Sequence, residues 1–232
     1  MIESILPPYV VSSDTTEDEL EGSLFPEEEA MISKAVGKRR KEFTTARICA
    51  RRAIRMLGRQ PTPILSGQSG EPLWPRGLIG SVTHCKGYRG VVVATQVEAA
   101  AIGIDAEPDK QLPMGVLEAI ALPQEERMVR VLREQRPEVC WDRLLFCTKE
   151  SVYKAWFPLA RRWLGFHDVL VDIRPGGTFE ARLQVPGPLL NRHRLTGFSG
   201  RWLAADGLIL TAIVMPSSIY TPARKGLMAV VS

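Results

Sequence analysis

Apolar positions recur along this chain with two different periods, and the switches between them divide it into elements. Between Pro26 and Leu57 they fall at three- and four-residue steps. Phe43, Ala46, Ala50, Ala53, Ile54 and Leu57 form one stripe, which predicts an amphipathic helix interrupted at Gly37 and stopped by Gly58. Pro61 to Pro75 is rich in Pro and Gly and predicts a loop. Short strands are expected at 79–84, 88–95 and 100–106, with tight turns at Lys86-Gly87 and Glu98. The helical period returns from Pro123 to about Arg136 and from about Glu138 to Phe157. The remainder predicts strands at 168–174, 179–185, 195–204 and 208–215, and a frayed, flexible tail after about 216.

This order, a helix followed by several short strands and then the same again, predicts an α+β fold with helices packed on largely antiparallel sheet. It hints at two similar halves, 1–106 and 107–232, but no sequence repeat accompanies the repeated pattern. A length of 232 residues suits one domain or two small, closely packed ones. No apolar run approaches the roughly 18 residues that span a bilayer. The start, Met1-Ile2-Glu3-Ser4-Ile5-Leu6-Pro7-Pro8, lacks the basic opening and apolar core of a signal peptide. A cytoplasmic protein with no membrane partner is therefore expected.

Charge changes the picture. The net charge of +4 hides an asymmetry: residues 14–29 carry eight acidic side chains and no basic one, whereas residues 34–59 carry ten Lys or Arg against the single Glu42. The first block predicts a solvated loop running into a helix near Pro26. The second concentrates attraction for an anion, and Arg47, Arg51 and Arg55 repel one another at i,i+4 unless something negative is bound. Arginine suits bidentate recognition of phosphate, so a phosphorylated ligand and a nucleic acid both remain open on this evidence.

Cys49, Cys85, Cys140 and Cys147 are dispersed, as are His84, His167 and His193, so the sequence offers neither a zinc site nor a disulfide framework. A metal, if used, would be held by oxygen. Asp105 and Glu107 lie two apart on an expected strand and project to one face. With Glu150 they offer three carboxylates for a hard divalent cation such as magnesium, which points to phosphate chemistry. Each feature also has a plainer reading. Asp105 and Glu107 suit the solvent face of an edge strand, Glu150 and Lys154 an exposed i,i+4 pair, and His84 a structural histidine. A different magnesium-dependent phosphotransferase lacks support, since no Gly-x-x-x-x-Gly-Lys-Ser/Thr loop or kinase signature is present.

Four ordered motifs carry a resemblance: Gly70-Glu71-Pro72-Leu73-Trp74-Pro75, Gly80-Ser81-Val82-Thr83-His84-Cys85, Gly103-Ile104-Asp105-Ala106-Glu107, and Lys149-Glu150-Ser151-Val152-Tyr153-Lys154-Ala155-Trp156. Over roughly residues 26 to 215 the chain resembles the 4′-phosphopantetheinyl transferase superfamily, in its larger monomeric branch of surfactin-type and enterobactin-synthase-associated enzymes. The arginine helix, with Arg39-Arg40 and Arg47-x-Cys49-Ala50-Arg51, resembles the actinobacterial secondary-metabolism members. The resemblance implies a pseudo-dimer within one chain, with coenzyme A between the halves. It implies transfer of phosphopantetheine to a serine of an apo acyl or peptidyl carrier protein, releasing adenosine 3′,5′-bisphosphate, with Mg2+ (or Mn2+) required.

It further implies metal ligation by Asp105, Glu107 and Glu150, and coenzyme A contacts from Arg39, Arg47, Thr83, His84, Asp105, Lys149 and Lys154. Catalysis would fall to Glu150 as proton acceptor, to Lys149 at the leaving phosphate and to Asp105. Relatives often carry a lysine where this chain has Ser66, so that contact is absent here or supplied by another basic side chain. A monomer that binds no nucleic acid is expected.

Overall fold

The computed structural model describes residues 1–18, 23–190 and 192–217; the tail expected after about 216 lies outside this range beyond Ser217. A 3-10 turn at Ile2–Ile5 precedes β1 (Val11–Thr15), α1 (Pro26–Met31) and α2 (Gly37–Met56). The short β2 (Leu65–Ser66) and β3 (Pro72–Leu73) form a hairpin inside the expected loop. They lead to β4 (Leu78–Cys85), β5 (Tyr88–Thr95) and β6 (Ala99–Pro108). After α3 (Val116–Ile120), α4 (Pro123–Gln135) and α5 (Trp141–Ala160) come β7 (Val169–Arg174), β8 (Thr178–Leu183), the short pair β9 (Leu189–Leu190) and β10 (His193–Arg194), and finally β11 (Gly197–Ala205) and β12 (Leu208–Pro216). None of the described helices is long and apolar enough to cross a membrane.

Two antiparallel sheets organise these elements: β1-β5-β4, and β6-β12-β11-β8-β7. β5 is central in the smaller sheet and buried on both faces, which explains its run Val91-Val92-Val93-Ala94. Val91 and Val93 face α2, joining Cys49, Ala50, Ala53 and Ile54; Val92 and Ala94 face the core shared with Ile102, Ile104 and Ala106 of β6. α5 lies on the larger sheet, where Trp141, Leu144, Val152, Ala155 and Trp156 join the core. Each half is therefore one long helix on one antiparallel sheet, the α+β arrangement read from the sequence.

At the seam between the halves, β6 is hydrogen-bonded along its length to β12 of the larger sheet. Its other edge faces β4 without a ladder. There Ser81 Oγ accepts the Ile104 N–H at 3.1 Å and Thr83 Oγ1 accepts that of Ala106 at 3.0 Å. Two buried hydroxyls thus satisfy an edge that would otherwise leave amides unpaired.

Alternation along β6 then sets the site. Ile102, Ile104 and Ala106 enter the shared core, so Gly103, Asp105 and Glu107 face α5. Gly103 is required by close approach: a Cβ there would stand 2.0 Å from Ser151 O and 2.7 Å from Ala155 N. Without that side chain α5 settles onto β6 and brings Glu150 and Lys154 over Asp105.

Candidate active site

A cleft of about 610 Å³ opens between the halves. α2 and β4 form one wall, the β2–β3 hairpin a rim, and the Glu150, Tyr153, Lys154, Phe157 face of α5 the other wall. Arg161, at the end of α5, pairs with Glu71 of the hairpin loop at 2.9 Å and ties the α5 wall to the rim.

One end of the cleft is cationic. Arg39 and Arg47 line it. Arg47 is 5% exposed, its guanidinium 4.3 Å from the Phe43 ring centroid; its buried Nε, 3.7 Å from Glu28 Oε1, has no hydrogen-bond acceptor among the described residues. Burial pushes its pKa down to about 10, with Glu28 opposing and Arg51 and Arg39 adding to the fall, so it stays charged near neutrality. A buried cation that lines the cleft favours an anion there. Arg51 and Arg40 are held more closely by acidic partners, Arg51 by Glu28 at 2.9 Å and Arg40 by Glu29. His84 lines the mouth, 3.8 Å from Glu42, its pKa lowered by burial and by Arg39, Lys154 and Arg89. Ser66 lies on the same rim.

The other end is acidic. Asp105 is buried, and its Oδ1 accepts from Thr83 Oγ1 at 3.0 Å and from Lys154 Nζ at 2.7 Å, while Oδ2 is buried without a partner among the described residues. Glu107 pairs with Arg143 at 3.1 Å. Burial raises the pKa of Glu107 and of Glu150, and the charge of Asp105 raises both further. These three side chains therefore feel one another, yet among the described residues no three acidic, His or Cys side chains form a ready-made metal cluster. Asp105 and Glu107 are instead each engaged by a protein cation. The donor set still fits a hard divalent ion: all oxygen, with one unsatisfied carboxylate oxygen and mutual repulsion that a cation would relieve.

Two expected contacts fall elsewhere. Lys149 is 3% exposed and turned away from the cleft: its ammonium pairs with Glu125 at 2.8 Å and donates to Phe166 O at 2.6 Å and Val169 O at 3.1 Å. An ammonium has three protons, and all are engaged, so Lys149 has no donor left for a phosphate. Thr83 is 1% exposed and its hydroxyl, donating to Asp105 and accepting from Ala106, belongs to the seam rather than to the cleft wall. Sequence reasoning also missed Glu28, Glu125 and Arg143, the partners that hold Arg51, Lys149 and Glu107. Glu28 and Glu125 did leave a signal, a glutamate two places after the proline that opens a helix.

Comparison with known proteins gives this arrangement its class. The family model of the 4′-phosphopantetheinyl transferase N-terminal domain matches residues 27–94, and that of the 4′-phosphopantetheinyl transferase superfamily matches residues 101–205. The chain is 49% identical over 226 residues to the 4′-phosphopantetheinyl transferase Svp of Streptomyces mobaraensis, covering 95% of this chain and 92% of the relative. It is 49% identical over 195 residues to PptT of Mycobacterium tuberculosis (82% and 85% covered) and 47% over 222 residues to Npt of Nocardia iowensis (92% and 99%), which bear the same enzyme name. The chain belongs to the 4′-phosphopantetheinyl transferase superfamily. Within it, the chain is a 4′-phosphopantetheinyl transferase of the actinobacterial type.

Proposed function

We propose that this enzyme moves the 4′-phosphopantetheine group of coenzyme A to a serine hydroxyl of an apo acyl or peptidyl carrier protein. The products are the holo carrier protein and adenosine 3′,5′-bisphosphate. The observation that carries this reading is one cleft with a buried, donor-bearing Arg47 at one end and a carboxylate cluster around Asp105 at the other. A nucleotide with phosphates at both ends of its ribose meets both regions.

Arg39, Arg47 and His84 bind and orient the nucleotide phosphates, which lowers the entropic part of the barrier. Glu150 accepts the serine proton as Oγ attacks phosphorus; its raised pKa, from burial and Asp105, suits a general base. The new bond is serine Oγ–P, and the bond that breaks joins the same phosphorus to the bridging oxygen of the pyrophosphate. Lys154, on the cleft wall, stabilises the charge on the departing phosphate, the role that Lys149 is too enclosed to take. Asp105, Glu107 and Glu150 would hold Mg2+ or Mn2+, which when bound neutralises charge on the pyrophosphate.

Both walls of the cleft come from one chain, which supports a monomer as the working unit. The engagement of Arg40 and Arg51 by glutamates favours a small anion in the cleft over a polyanion laid along α2. Chromatographic release of adenosine 3′,5′-bisphosphate from coenzyme A, dependent on apo carrier protein and abolished by a chelator, tests the scheme. Release that is indifferent to the carrier protein would contradict it.

A further inference from the structure

Asp105 is 6% exposed, and a carboxylate buried so deeply needs compensating charge. The chain supplies it from α5: Lys154 Nζ sits 2.7 Å from Asp105 Oδ1. Lys154 stands one turn after Glu150, so a single helix face carries both a carboxylate of the acidic cluster and the ammonium that balances its neighbour. The same ammonium offsets the repulsion that Asp105 exerts on Glu107 and on Glu150. Lys154 is also half-buried on the cleft wall, with a flexible four-carbon stem and open space beside it.

Resting on the metal reading above, we propose that Lys154 is a built-in counter-ion of the metal site: it holds Asp105 while no metal is bound, and a divalent cation releases it toward the phosphates of the co-substrate. The exchange couples the two ligands. A metal ion arriving alone must displace an ammonium that then has no anion to meet. With coenzyme A in the cleft, the displaced ammonium gains a phosphate partner. Metal and coenzyme A therefore strengthen each other's binding, by the same factor in both directions.

Calorimetric titration with Mn2+, with and without coenzyme A, tests this on the intact protein and on Lys154→Gln, Lys154→Arg and Asp105→Asn. Without coenzyme A, Lys154→Gln is expected to bind Mn2+ about tenfold more tightly than the unaltered protein, within the roughly 5- to 150-fold range of ordinary coupling between sites. Lys154→Arg, which keeps the charge, should stay close to the unaltered protein. The strengthening of Mn2+ binding by coenzyme A should shrink in Lys154→Gln. Equal or weaker Mn2+ binding by Lys154→Gln, with the metal lost in Asp105→Asn, would overturn the inference and leave the metal site standing. Absence of any strengthening by coenzyme A in the unaltered protein would overturn it without a variant. Undiminished Mn2+ binding by Asp105→Asn would overturn the site reading and the inference with it.

Discussion

Glu28 and Glu125 hold the same place in the two halves of the molecule. Each is the third residue of a helix opened by proline and accepts the N–H of the residue before that proline, from Phe25 at 3.1 Å and from Leu122 at 2.7 Å. Each is fully buried against a cation of the long helix, Arg51 at 2.9 Å and Lys149 at 2.8 Å. Each also accepts one distant backbone N–H, from Ile64 at 2.9 Å and from Val171 at 2.7 Å. The duplication is thus written in a buried ion pair, and Lys149 is the counterpart of Arg51 rather than of a phosphate ligand.

Lys149→Met should consequently act on stability. It leaves Glu125 charged and unpaired in the core, a loss on the scale of about 3–5 kcal/mol for a broken buried pair. Denaturant unfolding should show this fall, and the double variant with Glu125→Gln should recover part of it. Coenzyme A affinity of the folded protein should change little. Unchanged stability with weakened coenzyme A binding would return Lys149 to the phosphates.

Gly103→Ala should disturb the site through packing. Its methyl group meets the backbone of α5 at Ser151 and Ala155, which cannot yield as a flexible side chain does. Overpacking of this kind costs about 1–3 kcal/mol. It should also lift Glu150 and Lys154 from Asp105, so turnover should fall more than folded fraction does. A variant with normal melting temperature and rate would show that α5 does not depend on this contact.

Much of the fold was legible because α2, α5 and the long strands bury one face against a core, which imposes a strong period. Among the misses were elements that tertiary pairing alone defines. β1, Val-Ser-Ser-Asp-Thr, is half-buried throughout and exists by pairing with β5, and β2 and β3 are two residues each. In the site, Asp105, Glu107 and Glu150 were visible as charges in a motif, and helix geometry could have separated the two lysines. Glu150 and Lys154 are four apart and share a face, whereas Lys149 and Lys154 are five apart, about 140° around the helix. Thr83 shares the face of Ser81, toward β6, and His84 points the other way. The partners that engage these groups, Glu125 and Arg143, come from distant sequence and left no sign of what they would touch.

The pH dependence of stability should reveal the crowded carboxylates. Burial and Asp105 raise the Glu150 pKa above its ordinary 4.5 in the folded state. Between those two values the folded protein binds more protons than the unfolded chain, so this group removes stability as pH rises through the window. Glu150→Gln should therefore melt higher than the unaltered protein above that window, in the absence of metal. The difference should fade as pH falls to the ordinary carboxylate value. Saturating Mg2+ should reverse the order at neutral pH, since only the unaltered protein keeps the full ligand set. A Glu150→Gln protein that melts lower than its parent at neutral pH without metal would argue against the repulsion.

Arg47→Ala should weaken coenzyme A binding by about 1.5–3 kcal/mol, the scale of a hydrogen bond to a charged group. Arg47 lines the cationic end of the cleft, and its guanidinium is the donor in question. If Arg47 meets the 3′-phosphate, dephospho-coenzyme A should lose much less affinity. Equal losses for the two ligands in titration calorimetry would place Arg47 against another part of the nucleotide.

The most direct test of the account is the mass of a carrier protein after incubation. An apo acyl or peptidyl carrier protein, treated with this enzyme, coenzyme A and Mg2+, should gain one phosphopantetheine group on its serine, as read by intact-protein mass spectrometry. Glu150→Gln and Asp105→Ala, checked to be folded, should leave the carrier almost unmodified under the same conditions. A panel of apo carriers that gains no such mass with the unaltered enzyme, or gains it equally with both variants, would contradict the central claim.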